Sequence, residues 1–383
     1  MSSGPERPAT PSPAATTAPA KPAPAKPVAK KALQTPHRRK DRGLGPRPLE
    51  KAAIVAYRVG MWLMARLPVP VARAIVSFLL QASFFLVPRK RRYVNDNFAH
   101  ILGRSPGSLE VKRKAYAAYR SYARYVVELM RLPRLTDDEA AALVDTSTLL
   151  PLEAYWKSTG RGLILTSAHI GNLEAVARGI SRHGWPIAAI ADDTSFPELF
   201  DLLRKQRKEW GVELIPWRNL RELFGVLKRN EILALIVDWG YRPDDVPVRL
   251  FGAWTTLPAG PAMLAAKSGA SIVQVAVRRS EDGKRFIVTY SDPITVASTD
   301  EAEIRRATQA VADALAATIA AAPEQWYSFK PLWPSTPEEQ AALEARAAAL
   351  EAAALEARTE AEASAVGSAA RAAAEPGALA TAG

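Results

Sequence analysis

The sequence predicts an α/β fold with a mostly parallel central sheet flanked by helices. From about residue 161 onward, short apolar or β-branched runs alternate with helix-like segments such as 196–211 and 219–230. The predicted strands are GLILTSA, PIAAIA, VELIP, ILALIVD, SIVQVAV and FIVTYSD. Continuous apolar strands joined by helices are typical of a parallel sheet that is buried on both faces.

The last two predicted strands are connected differently from the others. A short polar link, SEDGK, separates SIVQVAVRR from FIVTYSD, and such a link favours a hairpin. We therefore expect one antiparallel pair near the edge of the sheet.

Composition divides the chain of 383 residues into three parts. Residues 1–50 are rich in Pro and Ala and contain ten basic residues against three acids, which predicts a disordered basic arm. Residues 336–383 are rich in Ala and Glu, which predicts a helical or disordered tail, solvated or weakly coiled-coil rather than packed. Residues 51–335 remain as one domain with a substantial core.

The most hydrophobic region is 51–92, and it predicts two helices divided by Pro68 and Pro70. Residues 74–88 are uncharged but shorter than the roughly 20 residues needed to cross a bilayer. The cationic run RKRR follows at 89–92. Apolar helices beside cations favour a membrane interface, with burial in the protein core as the alternative.

The net charge of +12 and the lack of cysteine limit the classes of function. A basic protein attracts nucleic acid, an anionic membrane or an acidic protein, and charge alone does not decide among them. Without cysteine, the chain has no disulfide, no thiolate metal ligand and no thiol nucleophile.

One of the four histidines is placed like a catalytic group. His169 follows an apolar strand, whereas His37 lies in the arm, His100 in a helix-like segment and His183 beside a turn. Ligands bind beyond the carboxyl ends of the strands in parallel sheets. The sequence therefore predicts His169 at the edge where a substrate would bind.

The residues after His169 suggest how an acid could approach the imidazole. Gly171 and Asn172 favour a break and a helix N-cap, which places Glu174 in the first turn of the next helix. A carboxylate on one ring nitrogen would fix the tautomer and leave the other nitrogen free to accept a proton. The alternative is a satisfied core histidine followed by an acid that caps the helix.

The motif HIGNLE at a strand end resembles the H-x4-D/E motif of the glycerolipid acyltransferase superfamily. The similarity is greatest to the lipid A late-acyltransferase branch, which includes bacterial phosphatidylinositol mannoside acyltransferases. Four further blocks follow in the order of that family: RKEWGVELIP (207–216), LALIVDWG (233–240), VRLFGAWTTLPAGPAMLAAKSGASIVQVAVRR (248–279) and PEQWYSF (323–329). The similarity covers about 55–335. The segment WYSFKPLW departs from the His-Arg-Arg residues common in lipid A enzymes, which argues against a lipid A acceptor.

The resemblance implies a glycerol-3-phosphate acyltransferase-like fold and an O-acyltransferase. Such an enzyme moves a fatty acyl group from acyl-CoA or acyl-ACP, its donor substrate, to a hydroxyl of a membrane glycolipid or lysophospholipid. His169 is then expected to be the general base and Glu174 its partner, with no metal and no bound cofactor. The candidate auxiliary or substrate-binding residues are Asp238, Arg207, Asn172 and Gly171.

The predicted partners are a membrane lipid acceptor, the acyl donor and an anionic membrane surface. The expected location is the cytoplasmic membrane, with the protein peripheral or monotopic on its cytoplasmic face. Two alternatives are a non-catalytic membrane scaffold and a basic nucleic-acid-binding protein. The second would use the arm and a helix with tyrosines at 116, 119, 122 and 125, which we expect to be packing residues instead.

Overall fold

A computed structural model describes residues 48–193 and 197–374, so almost all of the predicted arm lies outside the described residues. The helices are α1 (Pro48–Arg66), α2 (Val69–Leu86), α3 (Pro88–Leu102), α4 (Leu109–Arg131), α5 (Asp137–Ala141), α6 (Leu150–Thr159), α7 (Leu173–Gly179), α8 (Pro197–Lys208), α9 (Leu220–Lys228), α10 (Gly260–Ser268), α11 (Glu301–Ala321) and α12 (Pro337–Ala374). The strands are β1 (Leu163–Ser167), β2 (Ile187–Ala191), β3 (Val212–Pro216), β4 (Ile232–Ile236), β5 (Val246–Leu250), β6 (Ala253–Leu257), β7 (Ser271–Arg279) and β8 (Phe286–Tyr290).

The six predicted strands form one sheet in the order β3-β2-β4-β1-β7-β8. In this sheet β3, β2, β4, β1 and β7 are parallel, and β8 pairs antiparallel with β7 at the edge. The α/β prediction and the antiparallel edge pair are confirmed. Strand β1 lies between β4 and β7, so its carboxyl end is flanked by strand ends on both sides.

Strands β5 and β6 form a separate two-stranded hairpin. The two turn residues, Phe251 and Gly252, have φ values of 51° and 77°. Positive φ at both positions is the geometry of a type I′ turn, for which Asn-Gly is the usual sequence. Phenylalanine is uncommon at such a position, so the sequence gives no clear signal for this hairpin.

The N-terminal helices pack on α4, and α1 also contacts α8 of the sheet domain. Helices α1 and α2 are separated near Pro68, as the sequence predicts, and both pack on α4. In α4, Tyr119 lies 5.0 Å from Phe84, and Tyr122 and Tyr125 each lie 5.4 Å from Tyr327, measured between ring centres. The tyrosines of this helix are therefore packing residues.

Helix α2 is the part of the described chain that is long and apolar enough to cross a bilayer. Few of its residues are buried by the rest of the protein, and Phe78 and Leu86 are 72% and 79% exposed. The helix is 18 residues long, at the lower limit of about 17–25 residues for a span.

Helix α12 is more closely attached to the domain than a solvated helix would be. Leu343 and Ala347 are fully buried, and α12 packs against the β5–β6 hairpin. The Arg346 guanidinium donates hydrogen bonds to the main-chain oxygens of Pro243 and Asp245. The small apolar stripe of this helix is thus sufficient to dock its first half, while Leu355 farther along is 67% exposed.

Candidate active site

The carboxyl ends of β1 and β4 bring two titratable side chains together. The strands pair in parallel with Ser167 opposite Ile236. His169 is the second residue after the end of β1, and Asp238 is the second residue after the end of β4. The shared register therefore places both at the same level of the same sheet edge.

The Asp238 carboxylate holds His169 at both its ring and its main chain. Nδ1 of His169 lies 2.7 Å from Oδ1 of Asp238, and the His169 amide donates to both carboxylate oxygens at 3.1 and 3.0 Å. The His169 side chain is 37% exposed, whereas that of Asp238 is fully buried. A carboxylate on Nδ1 fixes the neutral tautomer with the proton on that atom and leaves Nε2 as a proton acceptor.

A tryptophan completes the surroundings of the carboxylate. Nε1 of Trp326 donates to Oδ2 of Asp238 at 2.7 Å, and Trp326 is 1% exposed. The segment that carries Trp326 is anchored on the histidine loop, because the Tyr327 amide donates to the His169 oxygen at 2.8 Å. Asp238 thus accepts hydrogen bonds from an imidazole, a main-chain amide and an indole, so its burial leaves no unpaired charge.

These contacts shift the pKa values of both groups. Burial lowers the pKa of His169, but the charge and hydrogen bond of Asp238 raise it by more, so the net pKa lies above the ordinary 6.5. Burial raises the pKa of Asp238, but His169 and the hydrogen bond of Trp326 lower it by more, so the net pKa lies below its usual range. Lys330 is a nearby cation that lowers the pKa of His169.

Glu174 is paired with Arg207 and not with His169. Nε and Nη2 of Arg207 lie 3.0 and 2.6 Å from the two Glu174 oxygens, a bidentate geometry. Arg207 is 5% exposed, and although burial lowers its pKa, Glu174 and Tyr57 together raise the pKa by more. The carboxylate expected on the imidazole is therefore supplied by Asp238, since both Glu174 oxygens are engaged by the guanidinium that α8 presents.

Gly171 and Asn172 form the turn that was expected between strand and helix. Gly171 has a φ of +61°, and a Cβ there would lie 2.0 Å from the main-chain oxygen of Val277, so only glycine fits. Asn172 is the N-cap of α7, and its Oδ1 accepts from the Ala175 amide at 3.0 Å. Its Nδ2 donates to Glu128 of α4 at 3.3 Å, which ties the loop to the helical layer.

Three neighbours of the imidazole were given no role from the sequence. Besides Trp326, the Trp239 ring meets the His169 ring edge-on with 5.6 Å between centres, and Nζ of Lys330 lies 4.8 Å above the Trp239 ring. Trp239 directly follows Asp238, and Trp326 and Lys330 lie in or beside the block PEQWYSF. Their positions in two recognised blocks were the only available signal, since no spacing rule links residues so far apart.

The described ranges contain no group of three or more His, Cys, Asp or Glu side chains suited to a metal ion. What the site provides is an oriented imidazole beside a buried carboxylate. This arrangement can remove a proton from a hydroxyl and later return it to a leaving group.

Comparison with known proteins identifies the family of the chain. The family model for bacterial lipid A biosynthesis acyltransferases matches residues 46–335. A phosphatidylinositol mannoside acyltransferase of Mycolicibacterium smegmatis is 27% identical over 286 residues, which cover 73% of this chain and 90% of that protein. The phosphatidylinositol mannoside acyltransferase of Mycobacterium tuberculosis is 29% identical over 286 residues, which cover 73% and 87%. The chain therefore belongs to the bacterial lipid A biosynthesis acyltransferase family and is an O-acyltransferase.

Proposed function

We propose that this enzyme moves a fatty acyl group from acyl-CoA or acyl-ACP to a hydroxyl of a membrane glycolipid or lysophospholipid. The names of the mycobacterial relatives favour a phosphatidylinositol mannoside as the acceptor. The observation that carries the proposal is the half-exposed His169 imidazole, fixed through Nδ1 by the buried Asp238 at the carboxyl edge of the sheet.

His169 acts as the general base in the proposed reaction. Its Nε2 accepts the proton of the acceptor hydroxyl as that oxygen attacks the carbonyl carbon of the thioester. Asp238 stabilises the imidazolium that forms, 2.7 Å away. The intermediate then collapses, the carbon–sulfur bond breaks, and the imidazolium returns its proton to the leaving sulfur, which gives an ester and a free thiol. A positioned base of this kind contributes about 10²–10⁴-fold.

The oxyanion of the tetrahedral intermediate requires a donor. The main-chain amides of His169, Ile170 and Gly171 are already hydrogen-bonded within the protein. Lys330 is exposed and stands over Trp239 beside the imidazole. We assign the stabilisation of the oxyanion to the Lys330 ammonium.

Glu174 and Arg207 are positioning residues in this mechanism. Their ion pair joins the first turn of α7 to the last turn of α8, directly after the histidine loop. The buried guanidinium of Arg207 is also held by Gln206, because its Nη1 donates a hydrogen bond to Oε1 of Gln206 at 2.8 Å. The pair holds the loop that carries His169 and does not take part in proton transfer.

An apolar surface on α1 and α2 suits the bilayer that holds the acceptor. Its exposed side chains are Val55, Val59, Trp62, Leu63, Val71, Ile75, Phe78, Leu79, Phe85 and Leu86. The basic run 89–92 follows at the start of α3. Apolar side chains among acyl chains, with cations at the phosphates, are the pattern of interfacial binding. We propose that the enzyme docks on the cytoplasmic face of the membrane through this surface.

Mass spectrometry of membrane lipids tests the proposed function. Cells that lack the gene should lose a lipid that is heavier by one acyl chain, and the wild-type gene should restore it. The variant His169→Ala should fail to restore it, whereas His183→Ala, a histidine outside the site, should succeed. A lipidome that is the same with and without the gene would overturn the proposal and favour a non-catalytic membrane scaffold.

A further inference from the structure

A cavity rich in arginine lies beside the histidine loop. Its volume is about 350 Å³, within the range of about 300–1,000 Å³ that is common for ligand sites. Arg73 of α2, Arg120 and Arg124 of α4, and Arg279 at the end of β7 line it, together with Ser77, Ser121, Glu324 and Gln325. We call this cavity the arginine pocket.

The positive charge of the arginine pocket is only partly balanced. Glu128 accepts from Arg279 at 2.6 Å and from Arg124 at 3.2 Å, and lies 3.8 Å from Arg73. The other nearby acid, Glu324, is paired with Lys114 at 3.2 Å. Five cationic side chains against two carboxylates leave an excess of three positive charges.

Two further features of the pocket suit an anion. Nε of Arg73 is buried and has no hydrogen-bond partner within residues 48–193 and 197–374, and an unpaired buried donor is costly. The pKa of Arg124 is lowered by burial and by its cationic neighbours Arg279 and Arg73, although Glu128 opposes them. An anion would complete the hydrogen bonding and relieve this repulsion.

The pocket is connected to the catalytic loop through Gln325. The main-chain oxygen of Gln325 accepts from the Gly171 amide at 2.9 Å, and its Oε1 accepts from the Arg279 amide at 2.8 Å. Gln325 also directly precedes Trp326, the donor to Asp238. Gln325 therefore lines the arginine pocket and contacts the loop that carries His169.

We propose that the arginine pocket binds a phosphate group of a substrate during acyl transfer. Guanidinium groups match the oxygens of phosphate with paired, charge-assisted hydrogen bonds. The phosphate comes either from the nucleotide of an acyl-CoA donor or from the head group of an acceptor phospholipid. This inference rests on the proposed function, and the experiments below separate the two sources.

The test uses the full chain and the variant Arg73→Ala/Arg120→Ala. The Arg73 side chain is 42% exposed and Arg120 is exposed, and the two arginines that hydrogen-bond Glu128, Arg124 and Arg279, stay in place. The charge-matched control is Arg134→Ala/Arg221→Ala, two exposed arginines that do not line the pocket. Melting temperatures of both variants verify that they fold.

The first measurement is the binding of inorganic pyrophosphate to the purified protein by calorimetry. The wild type and the control should bind it, and the pocket variant should bind at least about tenfold more weakly, a loss typical of one charge-assisted hydrogen bond. Equal binding by all three proteins would overturn the anion site. This measurement does not depend on acyl transfer.

The second measurement is KM for each substrate. If the donor supplies the phosphate, the pocket variant raises KM for acyl-CoA about tenfold but not for acyl-pantetheine, which lacks the nucleotide. If the acceptor supplies it, KM rises for the phospholipid acceptor but not for a neutral glycolipid with the same sugar. The value of kcat should change less than about twofold, because the interaction is uniform binding.

If the pocket variant has the same KM as the control for every substrate, the inference is overturned. The proposed function still stands in that case, provided that the wild type transfers acyl groups. A wild type that transfers no acyl group to any lipid would overturn the proposed function instead. The pyrophosphate titration then still decides whether the pocket is an anion site.

Discussion

At the scale of single residues, the Asp238 carboxylate controls the base. We expect Asp238→Asn to lower kcat about 10²–10⁴-fold, because the amide neither fixes the required tautomer nor stabilises the imidazolium. The variant should also shift the acidic limb of the pH profile of kcat/KM to lower pH. Without the aspartate charge, burial and Lys330 lower the pKa of His169, and the base stays neutral in more acidic solution. Steady-state kinetics from pH 5 to 9 would measure both effects.

Lys330→Gln provides the opposite shift in the same assay. Removal of the ammonium raises the pKa of His169, so the acidic limb should move to higher pH. Because Lys330 also stabilises the oxyanion, kcat of Lys330→Gln at the pH optimum should fall about 10²–10³-fold. The variant Lys330→Arg keeps a cation and should retain part of the wild-type kcat. A shift of the acidic limb with unchanged kcat would contradict the role in oxyanion stabilisation.

The pair also makes folding stability depend on pH. The raised pKa of His169 gives a stabilisation that is complete below its unfolded value of 6.5 and is lost as the pH rises through the folded pKa. The lowered pKa of Asp238 gives a stabilisation that is present above its unfolded value of 3.8 and is lost as the pH falls through the folded pKa. The pair contributes most in the interval between these values.

The same residues show how far the sequence could predict the site. His169 and the Gly171-Asn172 turn were predictable because the signals are local: an apolar strand, a glycine and an N-cap. The partner was not predictable, since Glu174 follows His169 closely in the chain, Asp238 follows a strand end as His169 does, and only the packing of α8 pairs Arg207 with Glu174. Trp326 is 157 positions from His169 in the chain, a separation beyond any spacing rule.

At the scale of elements, the Glu174–Arg207 pair joins α7 to α8. We expect Glu174→Leu to destabilise the protein by about 3 kcal/mol, the lower end for a broken buried pair because Glu174 is 29% exposed. Arg207→Met added to Glu174→Leu should recover much of this loss, since it removes the unpaired buried charge. Denaturant unfolding of both variants measures the two free energies.

That experiment also tests the division of roles between the two carboxylates. If Glu174 only positions the loop, the double variant should keep measurable acyl transfer with an unshifted pH profile. A loss of activity as deep as that of Asp238→Asn, in a folded double variant, would show that Glu174 acts in the chemistry.

Helix α12 allows a matched test of packing within one element. Leu343→Ala should destabilise the protein by about 2–4 kcal/mol, because this side chain is 2% exposed and its removal leaves a cavity. Leu355→Ala, at 67% exposure on the same helix, should change the stability by less than about 0.5 kcal/mol. Similar melting temperatures for the two variants would contradict the docking of α12.

Among the elements, the six-stranded sheet was predictable because buried parallel strands are continuous apolar runs. The β5–β6 hairpin was not, because its turn places phenylalanine at a φ of 51°. The docking of α12 was also missed, since two buried residues, Leu343 and Ala347, make a stripe too thin to distinguish from that of a solvated helix.

At the scale of the whole molecule, the apolar surface of α1 and α2 should govern membrane binding. We expect Phe78→Ser/Leu79→Ser to weaken co-sedimentation with anionic phospholipid vesicles at least tenfold, because two side chains that are 72% and 59% exposed no longer enter the bilayer. Leu150→Ser/Leu355→Ser, two exposed leucines elsewhere, should bind like the wild type. Equal binding by both double variants would place the docking surface elsewhere.

The order of the site residues along the chain also sets when the enzyme becomes competent during its synthesis. Asp238 is synthesised 88 residues before Trp326, whose indole donates a hydrogen bond to it. At about 5–20 residues per second, the delay between the two residues is roughly 4–18 s. During that interval a nascent chain already contains the base and its carboxylate but lacks the segment that fixes both. A chain that ends between residues 291 and 322 would therefore contain all six strands of the sheet but not the indole that donates to Asp238.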